Sequence, residues 1–304
     1  MLGRLRMSVD EAIDCYDNLA GKVFSQLKWP SGDGKYRATL LEEVIKTIVK
    51  KKTGDSDAQI SDDGALGGIC KTCVHTRQST ACAILSLTRF VCAMNAYNLN
   101  ACRPVLFRTY PSPKELSISC AIWQAARATS AAPTFFKRVF IGPTTRPEPF
   151  IDGGVGQNNP SAQVLEEAEL MFPDKNIACV ISIGTGKPRT IDMPNPSFIE
   201  RNIVPLGVIR AMVAIATDCE KTAEQVEKKF KHLLKTYFRF NVEQGLQNVK
   251  LGDWDRISEV AAHTRSYMDT PEVDSRLDAA VKAIRERKGV IKTSAISMDS
   301  NLLH

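Results

Sequence analysis

The stretch FIDGGVGQNNP, residues 150–160, places an acidic residue and three glycines directly after an apolar pair. The residues EPFID (148–152) predict a strand that ends at Asp152. In open α/β sheets, binding and catalytic side chains lie beyond the carboxyl ends of the strands. Gly153 and Gly154 permit positive φ and a close backbone approach. An aspartate followed by glycine also occurs where the carboxylate only caps a turn or a helix, so these residues alone leave both interpretations open.

Strand and helix patterns alternate around this stretch. Asn159 as N-cap and Pro160 at the first helical position predict a helix through SAQVLEEAELMF. The nearly continuous apolar run NIACVISIGTG (176–186) is typical of a parallel strand buried on both faces. Residues 103–109 and 237–242 predict further strands. The alternation predicts an α/β layered fold with a mostly parallel central sheet.

Helix boundaries are also marked in the sequence. Ser8 and Glu11 have the capping-box spacing, and an apolar face at helical spacing follows them. Gly54 is predicted to end a second helix over residues 36–54. An alanine-rich helix is predicted over 117–136, ended by Pro133. Three later helices are predicted at 204–235, 253–268 and 271–287.

The composition is that of an ordinary globular protein. The 304 residues are 43% hydrophobic and 24% charged, with a net charge of +6. The lysine runs lack the aromatic and glycine pattern of nucleic-acid binders, so we expect no nucleic-acid partner. Nine cysteines without a framework spacing and no signal peptide indicate a cytoplasmic protein. The best apolar run, 203–217, is too short for a membrane span and is interrupted by Arg210.

Six sequence blocks follow one another along the chain. They are LFRTYPSP, IWQAARATSAAPTFF, FIDGG, NNPSAQVLEEA, VISIGTG and YFRFNVEQGL. This series resembles the patatin-like phospholipases, and within them the fungal lysophospholipase-like branch, over most of the chain. The resemblance implies a three-layer α/β fold and a lipid acyl-ester hydrolase of the phospholipase A or lysophospholipase type. In that family a Ser-Asp dyad does the chemistry, so Asp152 would be the general base, with Gly153 and Gly154 completing its motif.

The same resemblance implies the partners. The substrate would be a phospholipid or another lipid ester at a membrane surface, without a cofactor or a metal ion. We therefore expect a cytoplasmic protein that associates peripherally with membranes and has no transmembrane segment. A carboxylate in a partly desolvated cleft has a raised proton affinity, which suits it to accept a proton from a serine hydroxyl.

The nucleophile elbow of the family is not found in this sequence. The glycine pair at the required spacing, Gly64 and Gly68, has Leu66 between them, so no G-x-S-x-G exists, and no G-G-G oxyanion loop exists. We expect the chain to be N-terminally truncated, without the strands that carry these motifs, and inactive as given. The alternative is a non-catalytic remnant that serves as a lipid-binding or protein-interaction module.

A second departure lies between CKT (70–72) and FVCAMNA (90–96), which the family joins into one strand. We interpret residues 73–89 as a non-native insert, read from a retained intron. The predicted organisation is a truncated patatin-like domain over 1–190, a helix-rich C-terminal part of the same domain over 191–290, and a disordered tail over 291–304.

Other motifs are weaker. The candidate ligands of a metal cluster are Cys70, Cys73, His75 and Cys82. A single C-x-x-C without a second cysteine pair is a weak indication of a zinc site, so we expect no metal site. GTGKP (184–188) fails the phosphate-loop pattern and indicates a tight turn. His232 and His263 lie in predicted helices and are better read as surface or interface residues than as the base of a Ser-His-Asp triad.

Overall fold

The computed structural model describes part of the chain, and all that follows concerns that part. The described residues are 1, 4–27, 34–61, 94–98, 103–110, 112–113, 118–154, 158–187, 219–250 and 252–296. The predicted insert at 73–89, the glycine pair at 64 and 68 and the four candidate metal ligands lie outside them.

Helices and strands are interleaved along the described chain, in several places as pairs of the same type. The helices are α1 (Val9–Phe24), α2 (Ala38–Thr53), α3 (Ile122–Ala128), α4 (Ser161–Met171), α5 (Glu220–Phe230), α6 (Ile257–Met268) and α7 (Pro271–Glu286). The strands are β1 (Met94–Asn98), β2 (Arg103–Phe107), β3 (Val139–Ile141), β4 (Glu148–Asp152), β5 (Asn176–Ile177), β6 (Val180–Ile183), β7 (Tyr237–Phe240) and β8 (Ile291–Lys292). The prediction of an α/β fold is confirmed.

The first two helices begin and end where the sequence places their caps. Ser8 Oγ accepts a hydrogen bond from Glu11 N at 3.1 Å, and Glu11 Oε2 accepts one from Ser8 N at 3.0 Å, which completes the capping box at the start of α1. Gly54 ends α2 at φ +84° and donates its N–H to Lys50 O at 2.8 Å. A side chain at that φ would be strained, so glycine is the residue that can end the helix there.

The sheet that carries Asp152 is antiparallel throughout its described pairs. Its strand order is β2-β1-β4-β3, and β4 pairs with β1 on one side and β3 on the other. β3 and β4 are joined by a short turn through Gly142, and a short turn can connect only antiparallel neighbours. Phe107 on β2 and Phe150 on β4 are fully buried, with ring centroids 5.4 Å apart. These rings hold the sheet against α3, whose Ala125 and Ala128 are also fully buried.

A mostly parallel central sheet is not confirmed by the described residues. Among them, β6 and β7 form the parallel pair, with Val180 opposite Tyr237 and Ile183 opposite Phe240. The predicted strand over 176–186 is divided into β5, which pairs with β8, and β6. The expectation that it is buried on both faces is wrong for β6, because Ile181 is 40% exposed and Ile183 is 80% exposed. β6 also has a described strand neighbour on one edge only, which is β7.

Two further predictions differ from the structure. The helix predicted over 117–136 is helical only over α3, because the carbonyls of the following residues bond to other segments: Ala131 O to Asp152 N, Thr134 O to Lys35 N, and Phe135 O to Tyr36 N. Part of the tail predicted as disordered over 291–304 is ordered. β8 pairs with β5, and Ile296 is buried in an apolar cluster with Ile177 and Phe230.

A buried ion pair ties the end of β2 to α4. Arg108 donates from Nε to Glu167 Oε2 at 2.8 Å and from Nη2 to Glu167 Oε1 at 2.6 Å. Tyr110 donates its hydroxyl to the same Oε2 at 2.8 Å. Burial and the nearby Glu167 carboxylate raise the pKa of Tyr110, so the phenol keeps its proton and remains a donor. The carboxylate is therefore fully compensated although its side chain is only 9% exposed.

We expect Arg108→Met to lower the free energy of unfolding by about 3–5 kcal/mol, because it leaves the Glu167 charge buried without its cation. The exposed pair formed by Lys187 and Glu243 at 2.8 Å is a matched control, and Lys187→Met is expected to cost less than about 1 kcal/mol. Urea denaturation of both variants measures the difference. Equal effects of the two substitutions would show that the buried pair does not hold α4 to the sheet.

Candidate functional site

Asp152 is the last residue of β4, and its backbone is fixed from two sides. It lies opposite Ala96 of β1 in the sheet register, and its N–H donates to Ala131 O at 3.2 Å. The segment that supplies Ala131 is held in turn by Arg127, whose Nη2 donates to Lys137 O at 3.0 Å. The strand tip therefore has little freedom to move relative to α3.

The Asp152 side chain turns back over the residues that follow it. Its Oδ1 accepts a hydrogen bond from Gly154 N at 2.8 Å. Burial raises the pKa of the Asp152 carboxyl, and the Gly154 N–H lowers it by a smaller amount. No salt-bridge partner of this carboxylate occurs within the part of the chain that the structure describes. A desolvated carboxylate without a cation has a raised proton affinity, which is the property of a general base.

The glycine at position 154 allows the Asp152 carboxylate to lie close to the backbone, and neither glycine after Asp152 has an unusual backbone conformation. The expected positive φ is not found, since neither Gly153 nor Gly154 is among the described glycines with positive φ. A Cβ added to Gly154 would lie 3.2 Å from Asp152 Oδ1 and 3.5 Å from Asn158 Oδ1. A larger side chain at this position would therefore press on the carboxylate that the turn holds.

Asn159, just before α4, is held by three hydrogen bonds. Its Oδ1 accepts from Ser161 N at 3.1 Å and from Ser161 Oγ at 2.6 Å, and its Nδ2 donates to Cys219 O at 3.1 Å. The predicted boundary is one residue too early, because Pro160 is the N-cap and Ser161 is the first helical residue. Asn159 precedes the cap, and its side chain accepts from the Ser161 N–H. The side chain that accepts a hydrogen bond at the start of α4 is therefore that of Asn159, whereas the Asp152 carboxylate accepts one only within its own turn.

A buried polar network joins the start of α4 to β6, β7 and α5, and sequence reasoning missed it. Ser161 Oγ lies 3.1 Å from Ser182 Oγ, which also accepts from Arg239 Nη1 at 2.9 Å. Glu220 Oε1 accepts from Arg239 Nη2 at 2.9 Å and from Asn241 Nδ2 at 3.0 Å. The signal in the sequence was a polar residue inside each of two otherwise apolar strands, at 182 and 239, and another directly after the second strand, at 241.

The GTGKP segment and the histidines His232 and His263 have structural rather than catalytic surroundings among the described residues. Gly186, at φ +110°, donates its N–H to Asn241 Oδ1 at 2.7 Å, and Lys187 pairs with Glu243, so this segment is a turn. His232 is exposed, and His263 packs against Gly245, far along the chain from Asp152. Within the described ranges there is no group of three metal-ligating side chains, and no helix there is long and apolar enough to cross a membrane.

An apolar groove runs between α1 and the segment that leads into α6. Its volume is about 960 Å³, and Thr185, just after β6, lies at its edge. The apolar residues on its walls include Val9, Ile13, Tyr16, Leu246, Val249 and Trp254. Three of these are conspicuously exposed for large apolar side chains: Val9 at 62%, Ile13 at 52% and Tyr16 at 53%. A groove of this size and lining is suited to an apolar ligand.

Comparison with known proteins supports the resemblance seen in the sequence. A family profile described as patatin-like phospholipase matches residues 4–165, which is more than half of the chain. The chain is 27% identical over 249 residues to mouse calcium-independent phospholipase A2-gamma, a match that covers 79% of this chain and 28% of the mouse protein. It is 35% identical over 122 residues to the rabbit protein of the same name, covering 40% of this chain and 14% of that protein.

A plant protein matches over a shorter stretch. The chain is 29% identical over 140 residues to Arabidopsis thaliana phospholipase A I, which covers 44% of this chain and 10% of the plant protein. In each of these comparisons the matched part is less than a third of the relative's own length.

The raised pKa of Asp152 gives a testable pH dependence of stability. From the ordinary aspartate pKa of about 3.9 up to the raised value, the folded chain binds more protons than the unfolded chain, so the free energy of unfolding falls as pH rises. Asp152→Asn removes this loss and keeps the acceptor oxygen for Gly154 N. We expect the variant to gain stability relative to the parent chain as pH rises through that window, in urea denaturation followed at a series of pH values.

Asp57→Asn is a control of opposite sign. The hydrogen bond from Trp123 Nε1 at 2.8 Å lowers the pKa of Asp57, so this carboxylate stabilises the fold above its unfolded pKa and loses that effect in acid. We expect Asp57→Asn to lose stability relative to the parent chain as pH rises. A parallel response of the two variants would contradict the assigned environment of Asp152.

Proposed function

Since the chain belongs to the patatin-like phospholipase family, we propose that its Asp152 is the general base of a lipid acyl-ester hydrolase. The observation that carries the proposal is a desolvated carboxylate, without a cation among the described residues, at the end of a strand inside the matched region. The base would take the proton from a serine hydroxyl as that oxygen attacks an ester carbonyl. The protonated Asp152 would give that proton to the leaving alcohol oxygen as the ester C–O bond breaks, which forms the acyl-enzyme. The regenerated carboxylate would then deprotonate the water that attacks the acyl-enzyme, and the proton would return to the serine oxygen as the fatty acid is released.

The fixed backbone around Asp152 supports this role. A general base must stay within hydrogen-bond reach of the group it deprotonates, and the bond to Ala131 O and the pairing with β1 keep the strand tip in one place. The Gly154 N–H orients one carboxylate oxygen, which leaves the other oxygen for the incoming proton. Gly154 keeps the space beside the carboxylate open.

The substrate class follows from the relatives and from the groove. We propose a phospholipid or another lipid ester at a membrane surface, cut by a phospholipase A or lysophospholipase type of reaction. The groove beside α1 has the volume and apolar lining to take an acyl chain. The mouse relative is named a calcium-independent enzyme, and the proposed dyad likewise needs no metal ion. A cytoplasmic location, the narrower fungal branch, the mostly parallel sheet and the domain boundaries remain predictions.

One sequence observation favours a second function. The printed chain contains no G-x-S-x-G, so no serine in it is marked as a nucleophile. The alternative is therefore a non-catalytic module that binds lipid or a protein partner and keeps Asp152 only as part of the fold. The two functions differ in whether a serine nucleophile acts together with Asp152.

We expect the purified chain by itself to hydrolyse no lipid ester and to form no adduct with a fluorophosphonate probe, because the serine motif is absent. Mass spectrometry of the probe-treated chain locates any labelled serine. A labelled serine together with ester hydrolysis would contradict the proposed dyad arrangement, since the nucleophile would then lie within the printed sequence.

The role of Asp152 itself is tested in the product of the transcript read from upstream of the Met1 codon. If that product carries an in-frame G-x-S-x-G, we expect Asp152→Asn to lower the hydrolysis rate roughly 10²–10⁴-fold, the usual effect of removing a general base. Asp174→Asn, at an exposed turn after α4, is the matched control and is expected to leave the rate unchanged. A transcript without an in-frame G-x-S-x-G would favour the non-catalytic module instead.

A further inference from the structure

The turn after α5 carries an unusual concentration of positive charge. Residues 228–235, KKFKHLLK, contain four lysines and no acidic residue, and we call this segment the basic turn. Lys228, Lys231 and Lys235 are exposed, and no ion pair is seen for these three in the part of the chain that the structure describes. Glu224 and Glu227 precede the segment in the same helix and line a surface concavity together with these three lysines, which leaves an excess of positive charge there.

The basic turn also presents a leucine to solvent. Leu234 is 87% exposed, the highest value among the exposed large apolar residues of the described chain. Its neighbour Leu233 packs with the buried cluster of Phe230 and Val226. The turn is ordered by backbone hydrogen bonds, with Leu233 N donating to Phe230 O at 2.8 Å. Leu233 therefore packs against the core, whereas Leu234 projects into solvent.

Helix stability explains only part of this arrangement. Lysines in the last turn of a helix interact favourably with its dipole, which accounts for Lys228 and Lys229. It does not account for Lys231 and Lys235, which follow the helix, or for an apolar side chain held in water between them. An apolar tip ringed by lysines matches the boundary of an anionic bilayer, where the leucine enters the acyl region and the ammonium groups meet lipid phosphates.

We propose that the basic turn docks the chain on anionic phospholipid bilayers. Lys228, Lys231 and Lys235 supply the electrostatic attraction, and Leu234 inserts between the lipid headgroups. A nucleic acid would use the lysines but would gain nothing from Leu234, so the leucine favours the bilayer. The docking does not depend on Asp152 or on ester hydrolysis. It can be tested with ether-linked lipids, which contain no ester to cut.

The experiment is co-sedimentation of the purified chain with vesicles of ether-linked phosphatidylcholine, with and without ether-linked phosphatidylserine. We expect binding only to the anionic vesicles, lost as salt concentration rises. The double variant Lys231→Glu, Lys235→Glu is expected to bind at least about 25-fold more weakly, from roughly fivefold per lysine. Leu234→Ser is expected to weaken binding about tenfold, from partial loss of apolar burial.

Matched controls separate this turn from net charge and from general surface apolarity. Lys50→Glu with Lys51→Glu changes the net charge by the same amount at the exposed end of α2, and Leu27→Ser removes another leucine, 71% exposed. Both controls are expected to bind anionic vesicles like the parent chain. Equal losses from the two lysine pairs, an unchanged affinity of Leu234→Ser, or RNA binding with the same dependence on Leu234 would each overturn the proposal.

Discussion

The hydrogen bond from Asp152 N to Ala131 O is the contact on which the arrangement of the site depends. It joins the tip of β4 to the segment after α3, and that segment is held by Arg127 through Lys137 O. This contact limits the length of α3, which ends after seven residues. The carbonyls that follow it accept hydrogen bonds from other segments instead of continuing the helix. A strand tip supported only by its sheet neighbours would leave the carboxylate freer to turn into water, where its pKa would not be raised.

Caps were the part of the fold that the sequence predicted best. The pairing of Ser8 with Glu11 and the stop at Gly54 depend on residues within one helical turn, so both were correct to the residue. The strand that ends at Asp152 was also correctly bounded. Sheet direction was predicted poorly, because an apolar run such as 176–186 looks the same whether its neighbour is parallel, antiparallel or missing. Exposed Ile181 and Ile183 show that apolar composition alone does not determine burial.

The candidate site was partly accessible from the sequence for a similar reason. The motif at Asp152 is local, and its resemblance to a family could be read directly. The polar pairs that join distant elements were not predicted: Arg108 and Glu167 are 59 residues apart in the sequence, and Ser182 and Arg239 are 57 apart. The sequence around one member of such a pair does not identify the other member. A charged residue inside an apolar strand indicates only that it needs a polar partner.

The buried carboxylate of Glu167 and the half-buried carboxylate of Asp152 have different surroundings. Glu167 accepts three hydrogen bonds, two from the Arg108 guanidinium and one from Tyr110, so its negative charge is compensated where it is buried. Asp152 accepts one described hydrogen bond, from the backbone of Gly154, and faces no described cation. A carboxylate held by several donors fixes the structure around it, because each hydrogen bond restrains where the side chain lies. Burial of an uncompensated charge raises its affinity for a proton instead. On the proposal that Asp152 is the general base, the lack of a cation beside it among the described residues favours uptake of the proton from a serine hydroxyl. A cationic side chain placed next to this carboxylate would lower its proton affinity and weaken that role.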